Sequence, residues 1–273
     1  MKFRPCIDIH NGKVKQIVGS SLADAGDFAR ENFVSQKSAA EYAALFAADG
    51  LKGGHMILLN SRNSEYYEAD CAQAEAAFSA YPGGLQIGGG ITSDNAESWI
   101  RKGASHVIVT SYVFRDGIID MERLKALTAA VGPEHLVLDL SAKPLPEDMA
   151  GPAETPFSEK RPPYYVMTDR WQRYTDTVLG TDLLTKLSAY CGEFLIHGIA
   201  TEGLGHGFDE GLVRLLAEAA PSLNVPITYA GGIRSMADVE AFRTLSGGLL
   251  DYTVGSALDL YGGTLEYKLL KRS

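Results

Sequence analysis

The chain has 273 residues, of which 45 % are hydrophobic and 22 % are charged; this composition is typical of a soluble globular protein and argues against global disorder. Its formal net charge of −9 argues against a nucleic-acid partner, because phosphate backbones bind basic surfaces. Three scattered cysteines, the absence of an apolar run of ~18 residues and an N-terminus without an apolar core predict a cytoplasmic protein with no disulfide frame, membrane span or signal peptide.

Short apolar runs alternate with helix-like runs along the whole chain. Eight of the apolar runs are predicted to be strands covered on both faces, at 3–9, 55–60, 85–88, 106–111, 136–140, 193–198, 227–230 and 251–255. Helices are predicted between and after them, at 38–49, 69–79, 94–102, 121–130, 182–190, 209–219, 236–245 and 264–271. Ser93 or Asp94, and Ser235, are the expected N-caps of their helices.

Eight βα units predict a single (β/α)8 barrel over residues 1–273, an α/β fold. The structural alternative is a doubly wound open sheet, which more often carries a glycine-rich first turn. Here the first strand is followed by His10, Asn11, Gly12 and Lys13, which do not form that motif. The barrel is therefore the favoured prediction.

A weak internal repeat suggests two half-barrels, at about 1–132 and 133–273. Segment 85–91 (LQIGGGI) resembles segment 227–233 (ITYAGGI), and each is followed by a helix and a strand ending in small residues. Such turns occur for tight strand-to-helix geometry alone, but glycines also let a backbone approach phosphate. We predict two phosphate sites, one formed by Gly89, Gly90, Thr110 and Ser111 and the other by Gly231, Gly232, Gly255 and Ser256.

Two carboxylates lie within or at the end of predicted strands. Asp8 interrupts the first strand and Asp139 lies near the end of the fifth, and an unpaired carboxylate there costs several kcal/mol. The structural alternative for Asp8 is a salt bridge with Lys13 or Lys15. Since active sites of these barrels lie at the carboxyl ends of the strands, the pair is predicted to do general acid/base work.

The sixth strand and the loop after the fifth add further candidates. His197 ends the sixth strand and Glu202 follows in a polar loop, although a structural histidine and a solvated glutamate are the simpler interpretations. The segment 141–165 carries six of the eleven prolines and is predicted to be a loop on the catalytic face, either functional or a surface insertion. Beyond it, Arg170 and Trp171 either stack on a heterocyclic ligand or anchor the loop on the rim. No histidine spacing supports a metal site.

These motifs together resemble the ProFAR isomerase family of histidine biosynthesis, in the form typical of fungi and plants. The segments that carry the resemblance are 6–19 (CIDIHNGKVKQIVG), 32–36 (NFVSQ), 85–91, 107–111 (VIVTS), 171–172 (WQ), 193–197 (EFLIH), 202–204 (EGL) and 229–232 (YAGG). The resemblance implies a barrel that uses no metal or organic cofactor. It also implies a small substrate with two phosphates, the aminoaldose N′-((5′-phosphoribosyl)formimino)-5-aminoimidazole-4-carboxamide ribonucleotide (ProFAR), which an Amadori rearrangement converts to its aminoketose isomer (PRFAR).

The resemblance also implies roles for individual residues. Asp8 is then the base that removes the C2 proton of the ribosyl group, and Glu202 takes the place of the aspartate that protonates the ring oxygen in bacterial members. Asp139 and Trp171 match the family's strand-five aspartate and substrate-stacking tryptophan, and His197 stands where bacterial members have threonine. Because Gln16 replaces a phosphate-binding arginine, we expect phosphate to rely on Lys13, Lys15 or backbone amides.

Two other interpretations stay open at this point. One is the cyclase subunit of imidazole glycerol phosphate synthase, which shares the half-barrel design and the strand-one and strand-five aspartates. The other is a non-catalytic barrel that binds sugar phosphates. The Trp171 loop and the Glu202 motif favour the isomerase, and the retained carboxylates argue against a dead barrel. We expect a monomer.

Overall fold

The computed structural model describes residues 1–17, 31–145, 163–169, 171–199 and 207–271. In chain order, the strands are β1 Cys6–His10, β2 Lys13–Ile17, β3 Glu31–Val34, β4 Gly54–Leu58, β5 Leu85–Gly88, β6 Val107–Val109, β7 Phe114–Arg115, β8 Ile118–Ile119, β9 Leu136–Asp139, β10 Ala142–Pro144, β11 Tyr164–Thr168, β12 Arg173–Leu179, β13 Glu193–His197, β14 Ile227–Ala230 and β15 Asp251–Tyr252. The helices are α1 Ala39–Ala48, α2 Tyr67–Ala80, α3 Ala96–Arg101, α4 Met121–Val131, α5 Thr181–Leu187, α6 Glu210–Ala219, α7 Met236–Ser246 and α8 Tyr267–Leu270.

Among the described residues, eight parallel strands form the barrel, in the spatial order β1, β4, β5, β6, β9, β13, β14, β15. The ring is closed by a parallel bridge between Phe3, just before β1, and Tyr252 in β15. Arg4 N donates to Tyr252 O at 2.8 Å, and Tyr252 N donates to Lys2 O at 3.0 Å. The predicted (β/α)8 barrel is confirmed, and the open sheet is excluded because both edges of the parallel sheet are joined.

The helices cover the barrel with apolar faces whose spacing follows from the sequence. In α6, Leu212, Val213, Leu216 and Ala219 are buried, and this spacing places them on one face of a helix. The helix begins at Asp209, whose side chain accepts a hydrogen bond from Leu212 N at 3.0 Å. Burial of each large apolar side chain contributes about 1.5–3 kcal/mol, so the covered strands and helices stabilise one another.

The predicted N-caps have different outcomes. Ser235 is confirmed, because its hydroxyl accepts from Asp238 N at 3.1 Å at the start of α7. Ser93 and Asp94 are wrong: α3 begins after Asn95, whose Oδ1 instead accepts from Thr92 N at 2.9 Å in the preceding turn. Because the side chain of Asn95 accepts from the amide of Thr92, a turn occupies residues 92–95, and the helix starts one or two residues later than predicted.

Strands not predicted from the sequence lie in the loops that follow barrel strands. β2 and β3 extend β1 as an antiparallel ribbon, and β10, β11 and β12 form a three-stranded antiparallel sheet after β9. The ends of segment 141–165 are therefore strands rather than loop, because Ala142 and Pro144 pair with Val166 and Tyr164. Residues 146–162, the rest of that segment, lie outside the described residues.

A buried ionic cluster occupies the amino-terminal ends of the barrel strands. Glu193 accepts hydrogen bonds from Gln86 Nε2 at 2.8 Å and Thr228 Oγ1 at 2.6 Å. Arg4 lies 3.3 Å from the same carboxylate and makes a second ion pair with Asp251 at 2.8 Å. Each charge in this cluster has an opposite charge beside it, which offsets the cost of burial.

Candidate active site

A cavity of about 660 Å³ opens at the carboxyl ends of the barrel strands. Twelve of the fifteen residues predicted for the site line it: Asp8, Gly89, Gly90, Thr110, Ser111, Asp139, Trp171, His197, Gly231, Gly232, Gly255 and Ser256. Lys13 does not line it and is exposed at the start of β2. Arg170 and Glu202 lie outside the described residues. The barrel topology therefore brings together residues from both halves of the chain.

Asp8 projects from β1 into this cavity and is partly exposed there. Gln16 Nε2, on the paired strand β2, donates to Asp8 Oδ2 at 3.2 Å. Lys15 stands opposite Asp8 in the register, but its ammonium group pairs with Glu31. The contact from Gln16 fixes one carboxylate oxygen of Asp8 while the residue remains accessible to a ligand in the cavity.

Asp139 is at the end of β9, directly across the barrel from β1, since three strands separate them on either side. Its Oδ1 accepts from Ser141 Oγ at 2.8 Å and lies 3.3 Å from His197 Nδ1, and its Oδ2 accepts from Thr110 Oγ1 at 3.3 Å. β9 and β13 are neighbouring strands, which brings Asp139 and His197 together. The result is a hydrogen-bonded acid–histidine pair facing Asp8.

The surroundings of Asp139 determine which atom of the Asp139–His197 pair carries the shared proton. Burial by itself raises the pKa of Asp139, but the nearby His197 and the hydrogen bonds from His197, Ser141 and Thr110 together hold it below the ordinary value of 3.8. Asp139 is therefore a carboxylate at neutral pH and only accepts hydrogen bonds. His197 Nδ1 must then carry the proton of the hydrogen bond that it shares with Asp139.

His55 packs beneath the pair and was not predicted as a site residue. Its ring centroid lies 6.3 Å from that of His197, at an interplanar angle of 77°. Burial, with the charges of His197 and Arg4, lowers the pKa of His55 to about 3, against an opposing effect of Asp139. His55 is thus a neutral wall of the cavity. The sequence signal was a histidine at the start of an otherwise apolar strand.

Trp171 lies in the turn between β11 and β12, over the catalytic face. Its ring centroid is 5.5 Å from that of His197, with the planes tilted by 45°. Trp171 and Asp169 both have a left-handed backbone, with φ of 65° and 53°, and Asp169 N donates to Ser111 Oγ at 3.2 Å. The turn is therefore fastened to the end of β6, and the indole packs on the rim while also lining the cavity.

The two glycine turns have the same backbone character. Gly89 and Gly90 have φ of 99° and 67°, and Gly231 and Gly232 have φ of 119° and 74°. A Cβ on Gly89 would lie 2.1 Å from Leu58 O, and one on Gly232 would lie 2.0 Å from Gly207 O. A larger residue at Gly89 or Gly232 would disturb the fold as well as the binding of a ligand. Packing by itself therefore already requires glycine at both positions.

Residues 2–266 match the protein family described as "Histidine biosynthesis protein". The chain belongs to the histidine biosynthesis protein family. The matched segment covers nearly the whole barrel, including every cavity residue described above.

Several curated relatives of this chain are named 1-(5-phosphoribosyl)-5-((5-phosphoribosylamino)methylideneamino) imidazole-4-carboxamide isomerase. The chloroplastic protein of Medicago truncatula is 50 % identical over 272 residues, covering 98 % of this chain and 80 % of the relative. That of Neurospora crassa is 42 % identical over 264 residues, covering 96 % and 93 %. That of Saccharomyces cerevisiae is 38 % identical over 267 residues, covering 97 % and 94 %.

Two arginines that were not predicted as site residues line the cavity. Arg234 follows the Gly231–Gly232 turn, and Arg62 comes from the loop after β4 and lies against Gly90. Arg234 was adjacent to a recognised motif, so its position was available from the sequence. Arg62 belongs to no motif, and only the folded loop brings it to the site.

Among the described residues, no group of three or more histidine, cysteine, aspartate or glutamate side chains is arranged to hold a metal ion. Nor is any helix there long and apolar enough to span a bilayer.

Proposed function

We propose that this protein catalyses the rearrangement of the aminoaldose ProFAR to the aminoketose PRFAR in histidine biosynthesis. The observation that carries the proposal is the placement of Asp8 opposite the Asp139–His197 pair, in one cavity that also contains both glycine turns. The shared name of relatives that are 38–50 % identical over almost the whole chain supports the same reaction. The reaction is an intramolecular oxidoreduction, an aldose–ketose isomerisation.

Asp8 is the proposed general base. When the ribosyl ring opens, the nitrogen on C1 forms an iminium that acidifies the C2 proton. A carboxylate beside C2 removes that proton, and the resulting enamine tautomerises to the ketone at C2. Gln16 occupies one face of Asp8 through its hydrogen bond to Oδ2, which fixes the direction in which the carboxylate acts. Hydride transfer and a redox cofactor are not needed, because the proton shift interconverts the two oxidation levels.

His197 is the proposed general acid that protonates the ring oxygen. It lies across the cavity from Asp8, and its Nδ1 is hydrogen-bonded to the Asp139 carboxylate, so Nε2 is the nitrogen proposed to deliver the proton. Histidine exchanges protons near neutral pH, which suits a general acid. Glu202, the acid that the family resemblance implies, is the rival assignment and lies outside the described residues. In this proposal, Asp139 orients His197 through its hydrogen bond and does not donate a proton itself.

Each half of the chain supplies one proposed phosphate site. Gly89 and Gly90 at the end of β5 would hold one phosphate, and Gly231 and Gly232 at the end of β14 the other. These glycines have positive φ values and no side chains of their own, so their backbone amides can approach an anion closely. A substrate with a phosphate at each end would then span the cavity between Asp8 and His197. We further propose that the enzyme is cytoplasmic and monomeric, and gel filtration of the purified chain would test the oligomeric state.

The deciding experiment is turnover of ProFAR by the purified chain without glutamine or ammonia, followed by detection of PRFAR. An isomerase produces PRFAR under these conditions, whereas a cyclase subunit or a binding protein leaves ProFAR unchanged. His197→Gln and Glu202→Gln are then compared. Loss of about 10²–10⁴-fold in kcat for His197→Gln, with Glu202→Gln active, supports the proposed acid. The reverse pattern assigns the acid to Glu202.

A further inference from the structure

The two glycine turns differ in the residue that follows them. The second turn reads AGGIR over 230–234 and ends in Arg234, whereas the first reads GGGIT over 88–92 and ends in Thr92. A phosphate at either turn carries nearly two negative charges, and backbone amides alone do not neutralise them. The first turn therefore lacks, in its own sequence, the cation that the second turn possesses.

Arg62 supplies a cation at the first turn from a different loop. A Cβ placed on Gly90 would lie 2.8 Å from Arg62 Cγ and 3.1 Å from its Cδ, so the stem of this arginine packs against the turn. The guanidinium begins at the atom bonded to Cδ, and the residue lines the cavity. Among the described residues, Arg62 makes no ion pair, whereas Arg234 lies 3.7 Å from Asp238. The charge of Arg62 is thus not committed to a carboxylate there.

The loop that carries Arg62 is anchored. Asn60 is 4 % exposed; its Nδ2 donates to Asn11 Oδ1 at 2.8 Å, and its Oδ1 accepts from Asn11 N at 2.8 Å. Ser64 N closes the turn by donating to Ser61 O at 3.0 Å. Arg62 therefore stands on a turn after β4 whose backbone is held by hydrogen bonds. Because the turn is already ordered, binding of an anion costs little additional backbone entropy.

A second feature of the first turn points to a ligand. Thr92 Oγ1 is buried at the cavity wall and has no hydrogen-bond partner among the described residues. Buried hydroxyls are normally hydrogen-bonded, and an oxyanion in the cavity would satisfy this one. In the second turn, the corresponding position is the arginine itself.

We propose that Arg62 is the cationic ligand of the phosphate group bound at the Gly89–Gly90 turn, in place of the arginine that the second turn has at position 234. The proposal rests on the proposed function in taking a substrate with a phosphate at each end. It assigns a binding and specificity role to a residue outside both glycine-containing segments, 85–91 and 227–233. Selectivity for a substrate phosphorylated at both ends would then depend on Arg62 at one end and Arg234 at the other.

The test compares Arg62→Gln and Arg62→Lys with Arg101→Gln, a control on α3 whose exposed arginine pairs with Glu97 outside the cavity. Loss of a charge-assisted hydrogen bond predicts a KM for ProFAR raised about tenfold or more in Arg62→Gln, with kcat within about twofold and an unchanged melting temperature. Arg62→Lys is expected to recover part of the loss, and Arg101→Gln to match the wild type. A wild-type KM in Arg62→Gln overturns the proposal.

Calorimetric titration with inorganic phosphate separates this proposal from the proposed function. The wild type is expected to bind two phosphates, and Arg62→Gln to bind one of them at least about tenfold more weakly. If the wild type does not convert ProFAR, the proposed function fails, but this titration still decides the role of Arg62. Equal phosphate affinities in the wild type and Arg62→Gln contradict the assignment.

Discussion

At the amino-terminal end of the barrel, Glu193 accepts from Gln86 and Thr228 and pairs with Arg4, which also holds Asp251. At the carboxyl end, by contrast, Thr92 Oγ1 and Thr253 Oγ1 are buried without a hydrogen-bond partner among the described residues. Polar groups are therefore paired internally at one end and presented to a cavity at the other. The first arrangement stabilises the fold, and the second leaves hydrogen-bonding capacity for a ligand.

Backbone strain, like the unpaired polar groups, is concentrated at the carboxyl end of the barrel. Among the described residues, the non-glycine residues with a left-handed backbone are Asn11, Asp116, Asp169 and Trp171, and all lie in loops that follow barrel strands. Such conformations cost roughly 1–3 kcal/mol each and persist where the surrounding structure holds them. The carboxyl end of the barrel thus carries the strained loop residues and the proposed site, so substitutions at the two ends should separate activity from stability.

The largest expected effect is on turnover at the carboxyl end. Asp8→Asn keeps the shape and the contact with Gln16 but removes the base, so kcat for ProFAR should fall by about 10²–10⁴-fold. The free energy of unfolding should change little, because Asp8 is partly exposed to the cavity. Asp182→Asn, an exposed acid on α5, is the control and should keep full activity. Near-normal turnover by Asp8→Asn would remove Asp8 from the mechanism.

The next effect is on stability at the amino-terminal end. Arg4→Met leaves the Glu193 and Asp251 carboxylates without their shared cation, which should lower the free energy of unfolding by about 3–5 kcal/mol. The kcat of the folded fraction should stay near that of the wild type. Arg214→Met, which breaks an exposed pair with Glu210, should cost no more than about 0.5 kcal/mol. Urea unfolding measures both; a change below about 1 kcal/mol for Arg4→Met would show that the cluster is not a stability element.

The sequence predicted the barrel because its strands are continuous apolar runs, and this pattern does not depend on long-range contacts. The acid–histidine pair was also accessible, since Asp139 and His197 end consecutive barrel strands that must be neighbours. The ribbon of β2 and β3 and the sheet of β10 to β12 were missed. Their strands are short, carry polar residues or proline, and are stabilised by pairing rather than by an apolar pattern.

Arg62 shows where sequence reasoning ends. It stands next to no glycine turn in the sequence, and 28 positions separate it from Gly90, which it contacts in the fold. The loop that brings it there is fixed by Asn60 and Asn11, a side-chain pair without a recognisable motif. The functional importance of such a residue follows from loop conformation, which residue patterns encode weakly.

A pH effect on stability tests the layer between the two ends, where His55 lies. Folding keeps His55 neutral, with a pKa lowered to about 3 by burial, whereas the unfolded chain takes up a proton below the ordinary histidine value of 6.5. Stability is therefore lost as the pH falls from 6.5 towards 3, by about 1.4 kcal/mol per pH unit from this residue. In His55→Leu, urea unfolding between pH 6.5 and 4.5 should show a loss smaller by roughly 2–3 kcal/mol. Identical pH dependence in both proteins would contradict a buried neutral His55.

The smallest expected effect concerns the indole over the catalytic face. Trp171→Ala removes the contact with His197 and the apolar cover of the cavity, so kcat/KM should fall about tenfold, with KM and kcat both affected. Trp171→Phe keeps an aromatic ring and should stay within about threefold of the wild type. Stability should hardly change in Trp171→Ala, because alanine is as strained as tryptophan at a φ of 65°.

The other tryptophan of the chain provides the matched control for this substitution. Trp99 is buried in α3 against Phe78, with ring centroids 6.2 Å apart, and lies outside the cavity. Trp99→Phe should lower the free energy of unfolding by about 1–3 kcal/mol and leave kcat/KM of the folded enzyme unchanged. Trp171→Gly adds a further distinction, since glycine relieves the left-handed turn: it should be more stable than Trp171→Ala but no more active. Equal kcat/KM in the wild type and Trp171→Ala would mean that the indole serves the rim alone, and the carboxyl end would then owe its activity to Asp8 and the acid–histidine pair without this cover.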